Sequence, residues 1–356
     1  MKYCRELLCI AWIMMTFAPT ADSQGRKLKV LLVCDMEGIT GADDYKKTEY
    51  SHPEEYAQGR QSLTADVNAA IAGLKAAGAS EIIIVDGHGS GNAAGPDVLE
   101  NEVTPPAKVH YRDTPFDVYM DSYDHSFDAI VAIGMHAGAG NRSGFLAHTV
   151  SVEDVGYRVN GLPFNETMLL AMGAARLKIP VIMVSGDDQL EKEISRNMPW
   201  VRYATVKHAA SFSRAVPLSR AEASRRIESA ARDALQSLQH ARVMEFPGPY
   251  RFALQFQDER QARNAALLPT SELLADGVTV QIRANDFEEG YGLSDRLLDL
   301  AGAIGGNTAT QAVINAQPNK RQLRVGIGDW VNERFLNGLP EAVAESKSKS
   351  RFWGAR

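Results

Sequence analysis

Three short apolar runs constrain this chain most. Residues 27–35 (KLKVLLVCD), 81–86 (EIIIVD) and 128–135 (DAIVAIGM) each have a continuous apolar centre. Such runs suit strands buried on both faces of a parallel sheet. Each run is followed at once by a ligand-type residue beside glycine: Asp35 and Glu37 before Gly38, His88 between Gly87 and Gly89, and His136 two residues after Gly134. Between the first two runs, Tyr56, Leu63, Val67, Ile71 and Leu74 recur at helical spacing, and Gly78 supplies a stop. Strand, helix, strand is a βαβ unit with a right-handed crossover.

The alternation continues downstream. A hairpin is expected over 155–164, turning at Asn160-Gly161, a pair suited to a type I′ turn. An apolar helix follows over 166–177, then a strand (180–185), a helix (187–198) and a strand (201–206). Ser219 and Glu222 fit a capping box that opens a helix running to about residue 239. Residues 250–257 and 278–283 read as strands, each followed by a helical stretch. The expected fold is α/β: a mostly parallel sheet with flanking helices, plus a smaller α+β C-terminal part joined at Pro247-Gly248-Pro249.

The first residues read differently. A basic start (Lys2, Arg5) precedes a thirteen-residue apolar run over 7–19 and then small residues near Ser23. A bilayer span needs about 20 apolar residues, so this segment reads as a secretory signal peptide. The expected organisation is a signal peptide (1–23), an α/β metal-binding core (24–246), a smaller α+β part (247–345) and a disordered Lys/Ser/Arg-rich tail (346–356). The expected destination is secreted or periplasmic, with no membrane attachment once the signal is removed. Of the three cysteines, Cys4 and Cys9 leave with the signal, and only Cys34 stays. Strand alternation points Cys34 away from Asp35 and into packing. A net charge of −6 disfavours nucleic acid as a partner, which normally needs a basic face.

In open α/β sheets, ligands bind at the carboxyl ends of the strands. If the three strands are parallel neighbours, Asp35, Glu37, His88 and His136 converge there. Asp, Glu and two His without a thiolate match a hydrolytic divalent-metal site, zinc above all. A second ion needs another ligand, and Glu166, which opens an apolar helix, is the best candidate. Each motif has a plain reading when taken alone. An Asp-x-Glu after a strand is ordinarily a solvated loop, and Glu166 behind Asn165 can simply favour a helix N-terminus. His148, in the apolar stretch 146–150, can be a satisfied core histidine; beside a metal it becomes a candidate for proton transfer or oxyanion stabilisation. Residues 89–94 (GSGNAA) nominally match a dinucleotide fingerprint, but Gly95-Pro96 interrupts the required helix. No phosphate-binding Gly-Lys-Ser/Thr loop and no nucleophile elbow occurs in the sequence.

Taken in order, the motifs resemble the zinc D-aminopeptidases of the dipeptide-transport type, the M55 peptidases. They are residues 35–41 (DMEGITG), 56–60 (YAQGR), 86–88 (DGH), 134–137 (GMHA), His148, Asn160-Gly161 with Glu166, and 185–188 (SGDD). The resemblance spans about residues 27–296. It implies two zinc ions per chain, with Asp35 bridging, Glu37 and His88 completing one site, and His136 and Glu166 the other. His148 would be the catalytic histidine. It further implies cleavage of short peptides with an N-terminal D-residue, notably D-alanine, and a homo-oligomer, a ring-stacked decamer in the family. Asn165 departs from the glycine common in the family before the glutamate. The competing readings are a dimetal phosphoesterase, whose usual Asp-x-His and Asn-His signatures are missing, and an exported binding protein without turnover.

Overall fold

The computed structural model describes residues 27–337 and 352–354. The segment expected to be a signal peptide and most of the expected tail lie outside the described residues. In chain order the strands and helices are β1 (Leu28–Cys34), α1 (Pro53–Ala76), β2 (Ala79–Asp86), β3 (Ala107–Val109), β4 (Ala129–Met135), β5 (Asp154–Val159), β6 (Leu162–Pro163) and α2 (Glu166–Ala175). There follow β7 (Val181–Asp187), α3 (Asp188–Asn197), β8 (Arg202–Ser211), β9 (Arg214–Pro217), α4 (Arg220–Gln236) and β10 (Tyr250–Phe256). The last are α5 (Glu259–Ala265), β11 (Glu272–Leu273), β12 (Thr279–Ala284), α6 (Phe287–Ala316) and α7 (Lys320–Asn337).

The first sheet has seven strands in the order β3-β2-β1-β4-β7-β8-β9, parallel except for the last pair. The expected α/β class, with a mostly parallel sheet and flanking helices, is what forms. β1 lies centrally, with Leu31 opposite Ile83 of β2 and Ile130 of β4. Alternation then divides the apolar side chains between two layers. Val30, Leu32, Cys34, Ile82 and Ile84 pack under α1 and α4, whereas Leu31, Val33, Ile83 and Val85 face α2 and the second sheet. Cys34 is thus a buried core residue. On α1, Leu63, Val67, Ile71 and Leu74 are fully buried, each contributing about 1.5–3 kcal/mol.

The second sheet is antiparallel, in the order β11-β12-β10-β5-β6. The hairpin turns as expected, with Asn160 and Gly161 both at positive φ (49° and 82°), as a type I′ turn requires. Its partner, however, is β10, with Phe252 opposite Val159. The expected junction at 247 is therefore not a break between separately folded parts. One sheet takes strands from both sides of it, and Val159, Phe164, Phe252 and Phe256 belong to one apolar cluster. Apolar pairing across the sheet overrides the local Pro-Gly-Pro signal.

The expectation of a disordered tail also fails at residues 352–354. Phe352 forms an antiparallel bridge with Arg112 (2.7 and 2.8 Å), and the Trp353 carbonyl accepts from the Asp86 N–H (3.3 Å). β3 ends at Val109, so the main-chain N–H of Asp86 lies beyond it at a sheet edge, and the returning tail satisfies it. By contrast, none of α7 is buried, and no described helix is long and apolar enough to cross a membrane.

Close backbone approach at the ends of β1 and β4 places the loop that carries the first two carboxylates. The Gly38 N–H donates to the Gly134 carbonyl (2.7 Å), and Asp35 N–H to that of Ile133 (2.9 Å). Gly134 has φ +78°, and a Cβ there would lie 2.1 Å from the Asp35 carbonyl oxygen. Gly134→Ala should therefore destabilise the protein by about 2–4 kcal/mol, read as a lowered Tm, with loss of metal binding as the loop moves. An unchanged Tm would show that the contact is not needed.

Candidate metal centre

All six residues singled out in the sequence come to the carboxyl edge of the first sheet. Asp35 and Glu37 follow β1, His88 follows β2, and His136 follows β4. Glu166 is the first residue of α2, and His148 lies on the strap between β4 and β5. His136 Nε2 is 3.3 Å from both Asp35 Oδ2 and Glu166 Oε2. His88 Nε2 is 3.2 Å from Glu37 Oε1, and His148 Nε2 is 3.8 Å from Glu166 Oε1. The His136 and His148 rings stack, with centroids 4.1 Å apart. Two overlapping triads, Asp35/Glu37/His136 and His136/His148/Glu166, have ligand atoms within 4.8 Å of one another.

Burial makes this arrangement costly unless something binds there. Asp35, Glu37, His88, His136 and Glu166 are all buried, yet Asp35 Oδ2, Glu37 Oε2 and His136 Nε2 have no hydrogen-bond partner. Burial and the nearby Glu37 push Asp35 up to about 7, against the pull of His136. Burial also raises Glu166, but His136, His148 and the Tyr119 hydroxyl outweigh it and hold the carboxyl at about 2. Glu37 is likewise held low by His88 despite burial. Burial lowers both His88 and His136, but neighbouring carboxylates lift each well above the usual range. His148 goes the other way: burial and the His136 charge lower it. Orphaned carboxylate and imidazole atoms converging in a dry site are the donor set of a divalent cation such as zinc.

Further residues hold this edge together, and to Asp97, Tyr119 and Lys207 the sequence did not point. Asp97 accepts from His88 Nδ1 (2.8 Å), which aims Nε2 at Glu37. Its other oxygen accepts from Ser90 Oγ (2.6 Å) and from the Tyr56 hydroxyl, and its main-chain N–H donates to Asp86. The Tyr119 hydroxyl donates to Glu166 Oε2 (2.7 Å), and the Val150 N–H to Glu166 Oε1 (2.7 Å). Asn165 caps α2 by accepting from Met168 N–H (2.9 Å), so the helix start is satisfied without using Glu166. Lys207, fully buried, donates to the carbonyls of Glu37 and Ala42. Burial brings its ammonium down to about 7, although Asp187 and Glu37 pull it up. Gly95-Pro96, which spoils the dinucleotide fingerprint, is followed directly by Asp97. A partner for the second nitrogen of His88 is the cue that could have led to this carboxylate.

The His148 strap carries backbone strain. Leu146 (φ 50°) and Val150 (φ 68°) are both left-handed, and for β-branched Val150 this is a genuine outlier. Hydrogen bonds compensate: Leu146 N–H donates to Phe212 O (2.8 Å), Val150 N–H to Glu166, and His148 Nδ1 pairs with Leu146 O (2.8 Å). A carbonyl can only accept, so His148 carries its proton on Nδ1 and leaves Nε2 with a lone pair. Asp97→Asn should lower metal affinity about 10–100-fold, measured by competition with a chelator, while Tm of the metal-free protein changes little. An unaltered affinity would show that Asp97 does not orient His88.

The chain is similar to known proteins along most of its length. The family model for Peptidase_M55, D-aminopeptidase, matches residues 28–295. A D-aminopeptidase of Bacillus subtilis (strain 168) is 30% identical over 265 residues, covering 74% of this chain and 94% of the relative. A solved structure, the zinc-dependent D-aminopeptidase DppA from Bacillus subtilis, described as a self-compartmentalizing protease, superposes with a TM-score of 0.71 at 28% identity. That match covers 77% of this chain and 98% of the other. The chain belongs to the M55 peptidase family of D-aminopeptidases.

Proposed function

We propose that this protein is an exported zinc aminopeptidase that hydrolyses short peptides with an N-terminal D-residue, D-alanine among them. The observation that carries the reading is the convergence at one sheet edge of the buried atoms Asp35 Oδ2, Glu37 Oε2 and His136 Nε2, none of which has a hydrogen-bond partner among the described residues, in a chain similar to a zinc-dependent D-aminopeptidase. In this reading two zinc ions would bind per chain: Glu37 and His88 would hold one, His136 and Glu166 the other, and Asp35 would serve both. Zinc, when bound, supplies Lewis acidity that lowers the pKa of water and polarises a carbonyl.

The chain's own residues do the rest. Asp97 and Tyr119 fix His88 and Glu166 in their orientations. His148, neutral near pH 7 because burial and His136 hold its pKa down, takes a proton from the attacking water at Nε2 and passes it to the leaving amine. The apolar strap that bears His148 helps to exclude bulk water from the reacting bond. A closed oligomer, up to a decamer, belongs to the same reading. It is supported by the likeness to a protein described as self-compartmentalizing, and it would admit short peptides only.

The direct test is to assay the purified protein with paired D- and L-alanyl dipeptides, with and without chelator. The expected result is hydrolysis of the D-peptide, loss of it on metal removal, and recovery with zinc at two ions per chain. Metal-independent turnover or an L-preference would refute the reading. His148→Ala should keep its zinc and lose about 10²–10⁴-fold in kcat; a variant that loses zinc would instead make His148 a ligand. The protonated form of His148 cannot accept a proton. Its pKa lies below the ordinary 6.5, so the acid limb of wild-type activity should have its midpoint below pH 6.5. A midpoint above pH 6.5 would contradict this.

A further inference from the structure

A cavity of about 610 Å³ opens beside the candidate metal centre, lined by Glu37, His148 and Asp154, the first residue of β5, among others. Asp154 is 4% exposed. Among the described residues, neither of its oxygens has a hydrogen-bond partner on another residue, and it belongs to neither triad of potential metal ligands. An ionised carboxylate so placed is costly unless a cation or donor meets it. Burial raises it well above the carboxylate range, Glu166 adds to this, and only its own main-chain N–H opposes it.

Packing does not ask for an acid here. Asp154 stands opposite Phe256 in the ladder, next to the apolar cluster that holds Tyr157 and Phe256, where an aliphatic side chain would serve. The same cavity carries one opposite charge, the Arg142 guanidinium, stacked 3.8 Å from the centroid of Phe212. A carboxyl that a bound cation would ionise and a guanidinium, both lining the cavity that reaches Glu37 and His148, match a short zwitterion. Building on the peptidase reading above, we infer that Asp154 is the ammonium-binding group of the substrate pocket, receiving either the α-ammonium of the N-terminal residue or a side-chain ammonium on it.

Three dipeptides separate the two sources: D-Ala-Gly, D-norleucyl-Gly and D-Lys-Gly, each assayed with wild type and with Asp154→Asn. A lost charge-assisted contact predicts a rise in KM of about 10–100-fold, with kcat within about threefold, zinc content unchanged and Tm equal or higher. A rise for all three peptides assigns the α-ammonium, and a rise for D-Lys-Gly alone assigns the side chain. A KM within twofold of wild type for all three overturns the proposal and leaves Asp154 a protonated structural acid. A second measurement needs no turnover: n-butylammonium should raise Tm of the wild type but not of Asp154→Asn or Asp154→Val. No shift in the wild type would also overturn the proposal. A wild type that cleaves none of the peptides yet shows the butylammonium shift would refute the peptidase reading and leave the cation site standing.

Discussion

The dominant constraint is electrostatic. Three carboxylates and two imidazoles, all buried, meet at the end of one parallel sheet. The carboxylates of Asp35 and Glu37 repel, and their repulsion together with burial is what lifts Asp35 to about 7. The histidines relieve part of this by taking protons, as the upward shifts of His88 and His136 record. Protons are an incomplete remedy, because acceptor atoms remain without partners. A dication satisfies several of these atoms at once, and it also releases the imidazoles to be neutral ligands. Much of the surrounding architecture can be understood as holding these groups together against that repulsion: Lys207 under the first loop, Asp97 behind His88, Tyr119 behind Glu166.

The strands and their chemical endings were legible because both depend on local pattern. A fully apolar run can be buried on two faces only in the middle of a sheet, and β1, β2 and β4 lie together there. Ligand residues placed just beyond such runs had few other destinations. What was not legible depends on irregular loops or on contacts between distant segments. Asp97 reaches His88 through an irregular loop with no period to read. Lys207 continues a strand expected to end at Val206, and its buried ammonium donates to carbonyls of the loop after β1. The partner of the hairpin is a strand far along the chain. In the tail, two aromatics, Phe352 and Trp353, outweigh the polar composition around them, since each covers apolar surface at the sheet edge.

The strap between β4 and β5 shows how strain and function share a segment. Leu146 and Val150, both left-handed, flank His148, and an extended chain would carry that imidazole elsewhere. The hydrogen bonds from Val150 to Glu166 and from Leu146 to Phe212 hold the unfavourable backbone in place. A side effect is that the strap is tied to a metal ligand directly. Occupancy of the centre and the position of His148 are thereby mechanically linked.

The hairpin's choice of partner has a consequence for biosynthesis. β5 ends at Val159, whereas β10 does not begin until Tyr250. On the ribosome, one edge of β5 emerges long before the strand that covers it, and such an edge can pair wrongly in the interval. β5 also contributes the wall of the cavity that holds Asp154. The residues of metal-ligand type are all made by Glu166, whereas the cavity wall at β5 is completed only when β10 arrives, so in synthesis the edge that gathers those residues precedes the cavity beside it.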